Sequence, residues 1–296
     1  MIVRVLLTGA TGFIGIPLMR LLERQGHEAI AVVRSRDVRI DAAATVIWDL
    51  SKRVRPDDLP RDIDAVVHAA QSRHHRTFPA ETADMLRVNV DGAWSLLDYA
   101  AAIGVRRFCL LSSGTVYEPY AGPLIEETPV SPTSFLGATK LAAEILARPY
   151  GQLFELCTLR LFFPYGPGQV NRLVPDIINR VRTGRPVQLG SDGAGPWMVP
   201  TFVNDIAEVI AAAVTEGWSG LANVASPEIV SLRQLAETIG TLVGRRSIFE
   251  QTGREPLRIV PSLDRLASRF DLSRFTSLEQ GLRDMMIDAQ ASCQAH

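Results

Sequence analysis

The 296-residue sequence predicts an α/β protein: a doubly wound parallel sheet of the Rossmann type with a smaller C-terminal substrate lobe. Three observations predict this fold. Apolar runs of strand length alternate with helical patterns over the first half of the chain. A glycine-rich turn, "TGATGFIG", follows the first of these runs. After Tyr165 the sequence becomes rich in turns, as in "YGPGQ", "TGRP" and "GSDGAGP".

The elements of the first half follow in order. The apolar run "VRVLLTG" is a buried strand that ends at Gly9, and "IPLMRLLERQG" is a helix that stops at Gly26. Helices are also expected from Glu81 to Ile103 and from Leu136 to Arg148. The remaining strands are "EAIAVVR", "ATVIWDL", "DAVVHAA", "RRFCLLSS" and "FELCTLRLF". Repeated β-α units of this kind give a parallel sheet with helices on both faces.

The expected domain organisation follows from the change to a turn-rich sequence after Tyr165. Residues 1–165 are expected to form the dinucleotide-binding domain, and residues 198–216, with strand "VPTFVN" and helix "DIAEVIAAAV", to rejoin it. Residues 166–197 and 217–296 are expected to form the substrate lobe. Two late helices, "SLRQLAETIG" and "SLEQGLRDMM", each open with Ser-x-x-Gln, which is typical of a capping box.

Composition excludes several classes of function. The formal net charge is −1 with acids and bases mixed along the chain, which argues against a nucleic-acid or membrane-surface partner. The first apolar run contains Arg4 and soon reaches Gly9, so it does not resemble a signal peptide. Cys109, Cys157 and Cys293 have no metal-ligand spacing and are interpreted as reduced thiols. We therefore expect a cytoplasmic protein that binds no metal.

The turn "TGATGFIG" predicts a dinucleotide site. Gly9 permits the tight turn, Gly12 lets the backbone approach a pyrophosphate, and Gly15 packs the helix on the strand. The N–H groups at the start of that helix point at the anion. The cofactor-binding residues expected here are Gly9, Thr11, Gly12, Phe13, Ile14 and Gly15.

The end of the second strand favours NADP(H) over NAD(H). NAD sites place an Asp or Glu there to hold the ribose 2′-hydroxyl, whereas this strand continues with Val33 and Arg34. Arg34, with Ser35 and Arg36, is expected to pair with a 2′-phosphate. The alternative is that Arg34 is an ordinary solvated charge.

Motifs along most of the chain resemble those of the extended short-chain dehydrogenase/reductase family, the NAD(P)-dependent epimerases and dehydratases of nucleotide sugars. The resemblance implies that Ser113 is the catalytic hydroxyl and that Lys140 holds the nicotinamide ribose. It also implies a homodimer formed by the Glu81–Ile103 region and the Leu136–Arg148 helix. The motifs are "TGATGFIG", "WDL", "HAA", "NVDGAWSLLDYA", "SSGTVYE", "GATKLAAE", "LRLFFPYGPGQ", "FVNDIAEVI" and "TSLEQGLRDMM". The further cofactor positions that it implies are Asp49, Leu50, Ala69, Ala70, Asn89, Ser112 and Phe162.

Three positions depart from the family pattern. Leu136 stands where the family has the Tyr that transfers the substrate proton. Phe163 and Met198 stand where the family has an Asn and an Arg at the substrate diphosphate. Arg172, Arg185 or Arg254 is the alternative source of that contact. The residues after Ser113 are Gly and Thr rather than the Asp-Glu pair of the 4,6-dehydratases, which argues against that activity.

The function expected from these residues is a reductase or epimerase that acts on a carbonyl of a sugar-derived or related small molecule by a Tyr-independent route. Ser113, a water, or one of the loop residues His74 and His75 would supply the proton. Two alternatives remain open. One is a catalytically retired NADP-binding sensor or subunit, and the other is a non-redox lyase or isomerase on the same fold.

Overall fold

The computed structural model describes residues 1–38, 40, 42–52, 59–74 and 77–294. The chain divides into two compact units. The first unit comprises residues 1–121, 126–161 and 206–224, and the second comprises residues 122–125, 162–205 and 225–296.

A seven-stranded parallel sheet forms the first unit, as expected. Numbered in chain order, its strands are Arg4–Thr8 (β1), Glu28–Val33 (β2), Ala44–Ile47 (β3), Ala65–His68 (β4), Arg107–Ser113 (β5), Glu155–Leu161 (β6) and Gly220–Val224 (β11). The strand order is β11-β6-β5-β4-β1-β2-β3. Because the order reverses at β1, the carboxyl ends of β1 and β4 flank the crevice where such sheets bind ligands.

Helices connect these strands. They are Gly15–Arg24 (α1), Thr82–Leu86 (α2), Gly92–Ile103 (α3), Phe135–Ala147 (α4) and Val203–Glu216 (α6). A π-helical turn, Arg87–Asp91, joins α2 to α3 without a break, so the expected helical stretch from Glu81 to Ile103 is present from Thr82 onward. One core cluster includes apolar side chains of the sheet, such as Val66 and Phe108, and of α3 and α4, such as Leu96 and Ala143.

The second unit has its own core of buried apolar side chains. Its helices are Leu173–Thr183 (α5), Leu232–Val243 (α7), Asp264–Ala267 (α8) and Leu278–Gln294 (α9). Its strands, paired two by two, are Pro164–Tyr165 (β7), Val187–Leu189 (β8), Trp197–Met198 (β9), Thr201–Phe202 (β10), Val230–Ser231 (β12) and Phe249–Gln251 (β13). The capping box expected before α7 is present, since Ser231 and Gln234 exchange hydrogen bonds.

The unit boundaries differ from the expected ones. The segment that returns to the first unit is 206–224 rather than 198–216. The physical reason is strand pairing: Gly220–Val224 extends the main sheet beside β6, whereas β9 and β10 pair with β12 and β7 inside the second unit. The short segment 122–125 belongs to the second unit, and the main passage of the chain into that unit lies after Leu161 rather than after Tyr165. None of the helices in the described part of the chain is both long enough and apolar enough to cross a membrane.

Candidate active site at the carboxyl edge of the sheet

The glycine-rich turn after β1 is shaped to bring backbone close to a ligand. Gly9 has a φ of +71°, and the N–H of Gly12 donates to the Gly9 carbonyl at 2.8 Å. A Cβ added at Gly9 would lie 2.7 Å from the Ala69 carbonyl carbon, and one at Gly15 would overlap the Gly9 carbonyl oxygen. No acidic residue lies in the first turn of α1. The turn and the helix N-terminus therefore fit the pyrophosphate of a dinucleotide.

Arg34 and Arg36 are exposed directly after β2, and Ser35 between them is half-buried. Asp37 is exposed as well and comes three residues after Arg34. Burial raises the pKa of Asp49, but hydrogen bonds from Ser51 and the charges of Lys52 and Arg34 outweigh it and lower that pKa overall. The cation of Arg34 therefore lies near the Asp49 carboxylate, and Leu50 beside it is buried.

Thr8 and His68 hold the end of β4 against the end of β1. The Thr8 hydroxyl lies 2.8 Å from His68 Nδ1 and accepts the N–H of Ala70 at 3.3 Å. The Ala69 N–H donates to the Thr8 carbonyl, also at 3.3 Å. Burial, with a smaller contribution from the charge of Lys140, lowers the pKa of His68 to about 3. His68 is therefore a neutral structural residue, and the small residues Ala69 and Ala70 follow it at the carboxyl end of β4.

Asn89 ties three segments together from the π-helical turn. Its amide nitrogen donates to the Thr139 hydroxyl of α4 at 3.1 Å, and its amide oxygen accepts the N–H of Ser72 at 2.9 Å. The Ser72 hydroxyl in turn donates to Asp84 and accepts the N–H of His74. Asn89 is buried, so it supports the site through these contacts. His74 itself is exposed on the loop after β4, and His75 lies outside the described residues.

Ser113 and Ser112, the last two residues of β5, have different surroundings. The Ser113 hydroxyl accepts hydrogen bonds from the N–H and the hydroxyl of Thr115, at 3.2 and 3.0 Å, and caps the 3-10 turn Gly114–Tyr117. Since these bonds use only its lone pairs, the Ser113 proton is available to a ligand. The Ser112 hydroxyl instead donates to Glu144 at 2.5 Å and is buried.

Lys140 and Leu136 lie one helical turn apart on α4. Lys140 is 6 % exposed, and its amine donates to the Leu111 carbonyl of β5 at 2.9 Å. Burial lowers the pKa of Lys140 from 10.5 to about 8, against the opposing charge of Glu144. Leu136 is half-buried, and its backbone carbonyl accepts the Thr139 hydroxyl. A hydrocarbon side chain therefore occupies the position one turn before the amine.

Sequence reasoning missed a buried charged network beneath this edge. Arg160 of β6 donates to both carboxylate oxygens of Glu144, at 3.1 and 2.7 Å, and its guanidinium lies 4.7 Å from the centre of the Tyr117 ring. Tyr117 donates to Asn223 of β11 at 2.9 Å. Two signals pointed to this network: a Glu four residues after Lys140, and an Arg inside the apolar run "LCTLRLF". Neither signal shows that the two residues pair.

Within the second unit, the residues at the expected diphosphate positions are apolar and packed. Met198 is 1 % exposed in the core of that unit, and Phe163 packs against the same core with a φ of +41°. The Phe163 carbonyl accepts the N–H of Thr201 at 3.0 Å. Phe162, an expected cofactor residue, is also buried. Neither Phe163 nor Met198 has a side chain that can hydrogen-bond or pair with a phosphate.

The sequence of the chain matches known proteins over most of its length. A profile of the NAD dependent epimerase/dehydratase family matches residues 5–225. The low-salt glycan biosynthesis protein Agl12 of Haloferax volcanii is 29 % identical over 81 % of this chain and 82 % of its own. A dTDP-glucose 4,6-dehydratase of Streptomyces griseus is 28 % identical over 95 % of this chain and 92 % of its own.

Solved structures show the same similarity. The structure of MoeE5 in complex with UDP-glucuronic acid and NAD is 27 % identical in sequence. It aligns with a TM-score of 0.84 over 98 % of this chain and 99 % of that one.

Proposed function

The chain belongs to the NAD-dependent epimerase/dehydratase family, an enzyme family of the extended short-chain dehydrogenase/reductase type, and from that premise we propose that it is an NADP(H)-dependent reductase or epimerase that needs no tyrosine. Its proposed substrate carries a carbonyl on a sugar-derived or related small molecule. One observation carries the proposal. The glycine turn, Ser113 and Lys140 stand on β1, β5 and α4 of one unit, while Leu136 occupies the tyrosine position.

The substrate class rests on the relatives and on the apolar replacements. The relatives' names include a dTDP-glucose dehydratase and a protein bound to UDP-glucuronic acid, which supports a sugar-derived substrate here. Phe163 and Met198 supply no charge or hydrogen-bond donor, and a lost charged contact to phosphate weakens binding by about 1.5–3 kcal/mol. We therefore expect little or no turnover of UDP- or dTDP-hexoses, and a substrate that is less anionic.

The proposed NADP(H) preference rests on the segment that follows β2. Arg34 is exposed there, and no acidic residue lies between the end of β2 at Val33 and Asp37. The structural neighbour MoeE5 holds NAD, so the proposed preference departs from that neighbour. Arg34→Asp removes the cation that would meet a 2′-phosphate and supplies an acceptor for a 2′-hydroxyl. Fluorescence titration should show the NADPH-to-NADH affinity ratio falling about 10- to 100-fold, because such a pair contributes about 1.5–3 kcal/mol. Arg24→Asp, at the exposed end of α1, is the control.

The catalytic proposal is tested by following reduced nicotinamide during turnover of a panel of carbonyl substrates. We expect NADPH consumption with a member of the panel that carries no nucleoside diphosphate. Leu136→Tyr should not create turnover of UDP- or dTDP-hexoses, because Phe163 and Met198 remain. Ordinary turnover of nucleotide hexoses by the wild type would refute the substrate assignment.

A second candidate function is a retired catalyst that still binds NADP(H). Three replacements favour this second function: Leu136 at the tyrosine position, and Phe163 and Met198 at the two polar diphosphate positions. Each of them removes a group that acts only on the substrate. NADPH binding without consumption for any carbonyl in the panel would favour this function over the first.

We further propose a homodimer formed through α2, α3 and α4. Ile145 on α4 is 51 % exposed, and Leu86 and Leu146 are exposed as well. Apolar side chains grouped on neighbouring helices are typical of a protein interface.

A further inference from the structure

The chain contains very few lysines. Lys52 and Lys140 are the only two among 31 basic residues, and all the others are arginines. An arginine stays charged at every pH that a protein tolerates, whereas a lysine releases its proton readily when it is buried. One of the two lysines, Lys140, is inside the protein, and the other, Lys52, has a side chain that is 78 % exposed. The buried lysine, which is able to change its charge, is therefore the one that belongs to the candidate site.

The position of Lys140 places an amine near the end of β5, which carries Ser113. It lies one turn after Leu136 on α4 and bonds to the carbonyl of Leu111, two residues before Ser113 at the end of β5. An ammonium has three donors, and the structure gives one of them a partner. The other two have no hydrogen-bond partner among the residues that the structure describes.

The anion that favours the charged form of Lys140 is Glu144, and other groups already bind its carboxylate. On its own helix, Glu144 accepts hydrogen bonds from Nε and Nη2 of Arg160 and from the Ser112 hydroxyl. The other titratable groups on elements near α4 are engaged or exposed: His68, Asp84, Arg87, Asp91, Asp98, Tyr99, Arg107, Cys109, Tyr117, Arg148 and Tyr150. No carboxylate in the described part of the chain lies within ion-pair distance of the Lys140 amine.

Leucine in place of tyrosine at position 136 affects the charge of Lys140. A tyrosine there would become a phenolate, and an opposite charge within about 4–6 Å favours the charged form of a lysine by 1–3 pKa units. Leu136 gives no such support. Burial is then the dominant influence, and it lowers the pKa of Lys140 to about 8. Both forms of the amine are populated near neutral pH, as a general acid or base requires.

We propose that Lys140 is the proton-transfer group of this site and takes over the step that a tyrosine at position 136 performs elsewhere in the family. The inference rests on the proposed function. In reduction, the carbonyl carbon receives the hydride that the bound cofactor supplies, and the electron pair of the carbonyl π bond moves to oxygen. The Lys140 ammonium gives that oxygen a proton, so that the alcohol forms and a neutral amine remains. The amine then takes a proton from water.

The first test measures the ionisation of Lys140 without cofactor or substrate. Lys52→Arg leaves one lysine in the chain, so a protein labelled with ¹³C,¹⁵N-lysine gives a single side-chain signal from Lys140. Its NMR titration should have a midpoint near 8, as the burial of the amine requires. A midpoint above 10, the range of a solvated lysine, would overturn the inference.

The second test uses turnover. Lys140→Arg keeps the charge and the hydrogen-bond donors but cannot release a proton. Because Lys140 is also expected to hold the nicotinamide ribose, kcat is compared at saturating NADPH, where it should fall about 10²- to 10⁴-fold. Equal kcat values for Lys140→Arg and the wild type would overturn the inference. An inactive wild type, in contrast, would contradict the proposed function, so the two failures are distinct.

The pH profile of kcat gives a third readout that does not alter Lys140. In the reducing direction kcat should fall as pH rises through about 8, because the ammonium is the donor. Leu136→Glu adds an anion one turn away and should move this midpoint upward by about one unit or more. Ala138→Glu puts the same charge on the exposed side of the same turn and should leave the midpoint in place. Equal midpoints for Leu136→Glu and Ala138→Glu would contradict the inference.

Discussion

Replacing Lys140 by Met should change how protein stability depends on pH. The pKa of Lys140 is about 8 in the folded protein, where the amine is buried, and 10.5 in the unfolded chain, where it is not. Between these values the unfolded chain binds one proton more than the folded protein. The free energy of unfolding of the wild type therefore rises with pH in this window, by about 1.4 kcal/mol per pH unit. Lys140→Met has no proton to release and lacks this rise.

The difference between the two proteins isolates this effect. From pH 8 to pH 10.5 the wild type should gain about 3 kcal/mol relative to Lys140→Met. Other groups titrate in this range. A hydrogen bond with Cys157 and burial, for example, raise the pKa of the Cys109 thiol, but they do so in both proteins and cancel in the difference.

Urea unfolding followed by circular dichroism at several pH values between 7 and 10.5 measures this difference. Lys52→Met is the matched control at an exposed lysine, and surface changes of this kind stay within about 0.5 kcal/mol. A difference between the wild type and Lys140→Met that is constant over the window would refute the reasoning. It would mean that Lys140 keeps its proton in the folded protein.

Three further predictions concern the turn, the buried pair and the interface. Gly12→Val puts a branched side chain where a pyrophosphate must approach and should abolish NADPH binding in a titration, while far-UV circular dichroism shows the sheet intact; retained affinity would contradict this. Glu144→Ala leaves Arg160 buried without its carboxylate partner. It should lower the free energy of unfolding, measured by urea unfolding, by about 3–5 kcal/mol. A loss below about 1 kcal/mol would show that the pair contributes little to stability. Light scattering should show that Ile145→Glu converts the dimer to a monomer. The control variant Leu153→Glu should remain a dimer, because Leu153 is 65 % exposed and lies outside α2–α4. A wild-type protein that is monomeric at micromolar concentration would rule the dimer out.

The local parts of the site could be predicted from the sequence. Gly9, Gly12 and Gly15 follow a strand and open a helix, and the structure brings them to the turn that the spacing predicted. The strand runs of the first half likewise became β1 to β6. Turn geometry and strand formation depend on residues close together in the chain, so a short stretch of sequence contains the information they need. The sequence also shows directly that position 136 is a leucine and not a tyrosine.

The tertiary structure decided the properties that arise from residues far apart in the chain. Sequence alone did not predict that Gly220–Val224 would join the main sheet, because that strand pairs with β6 about 60 residues earlier. Nor did it show that Arg160 pairs with Glu144, the carboxylate whose charge opposes the effect of burial on the pKa of Lys140. The charge state of a buried amine depends on its distance from water and from every other charge. Those distances come from β4, β5, β6 and α4 together, so only the packed fold determines them.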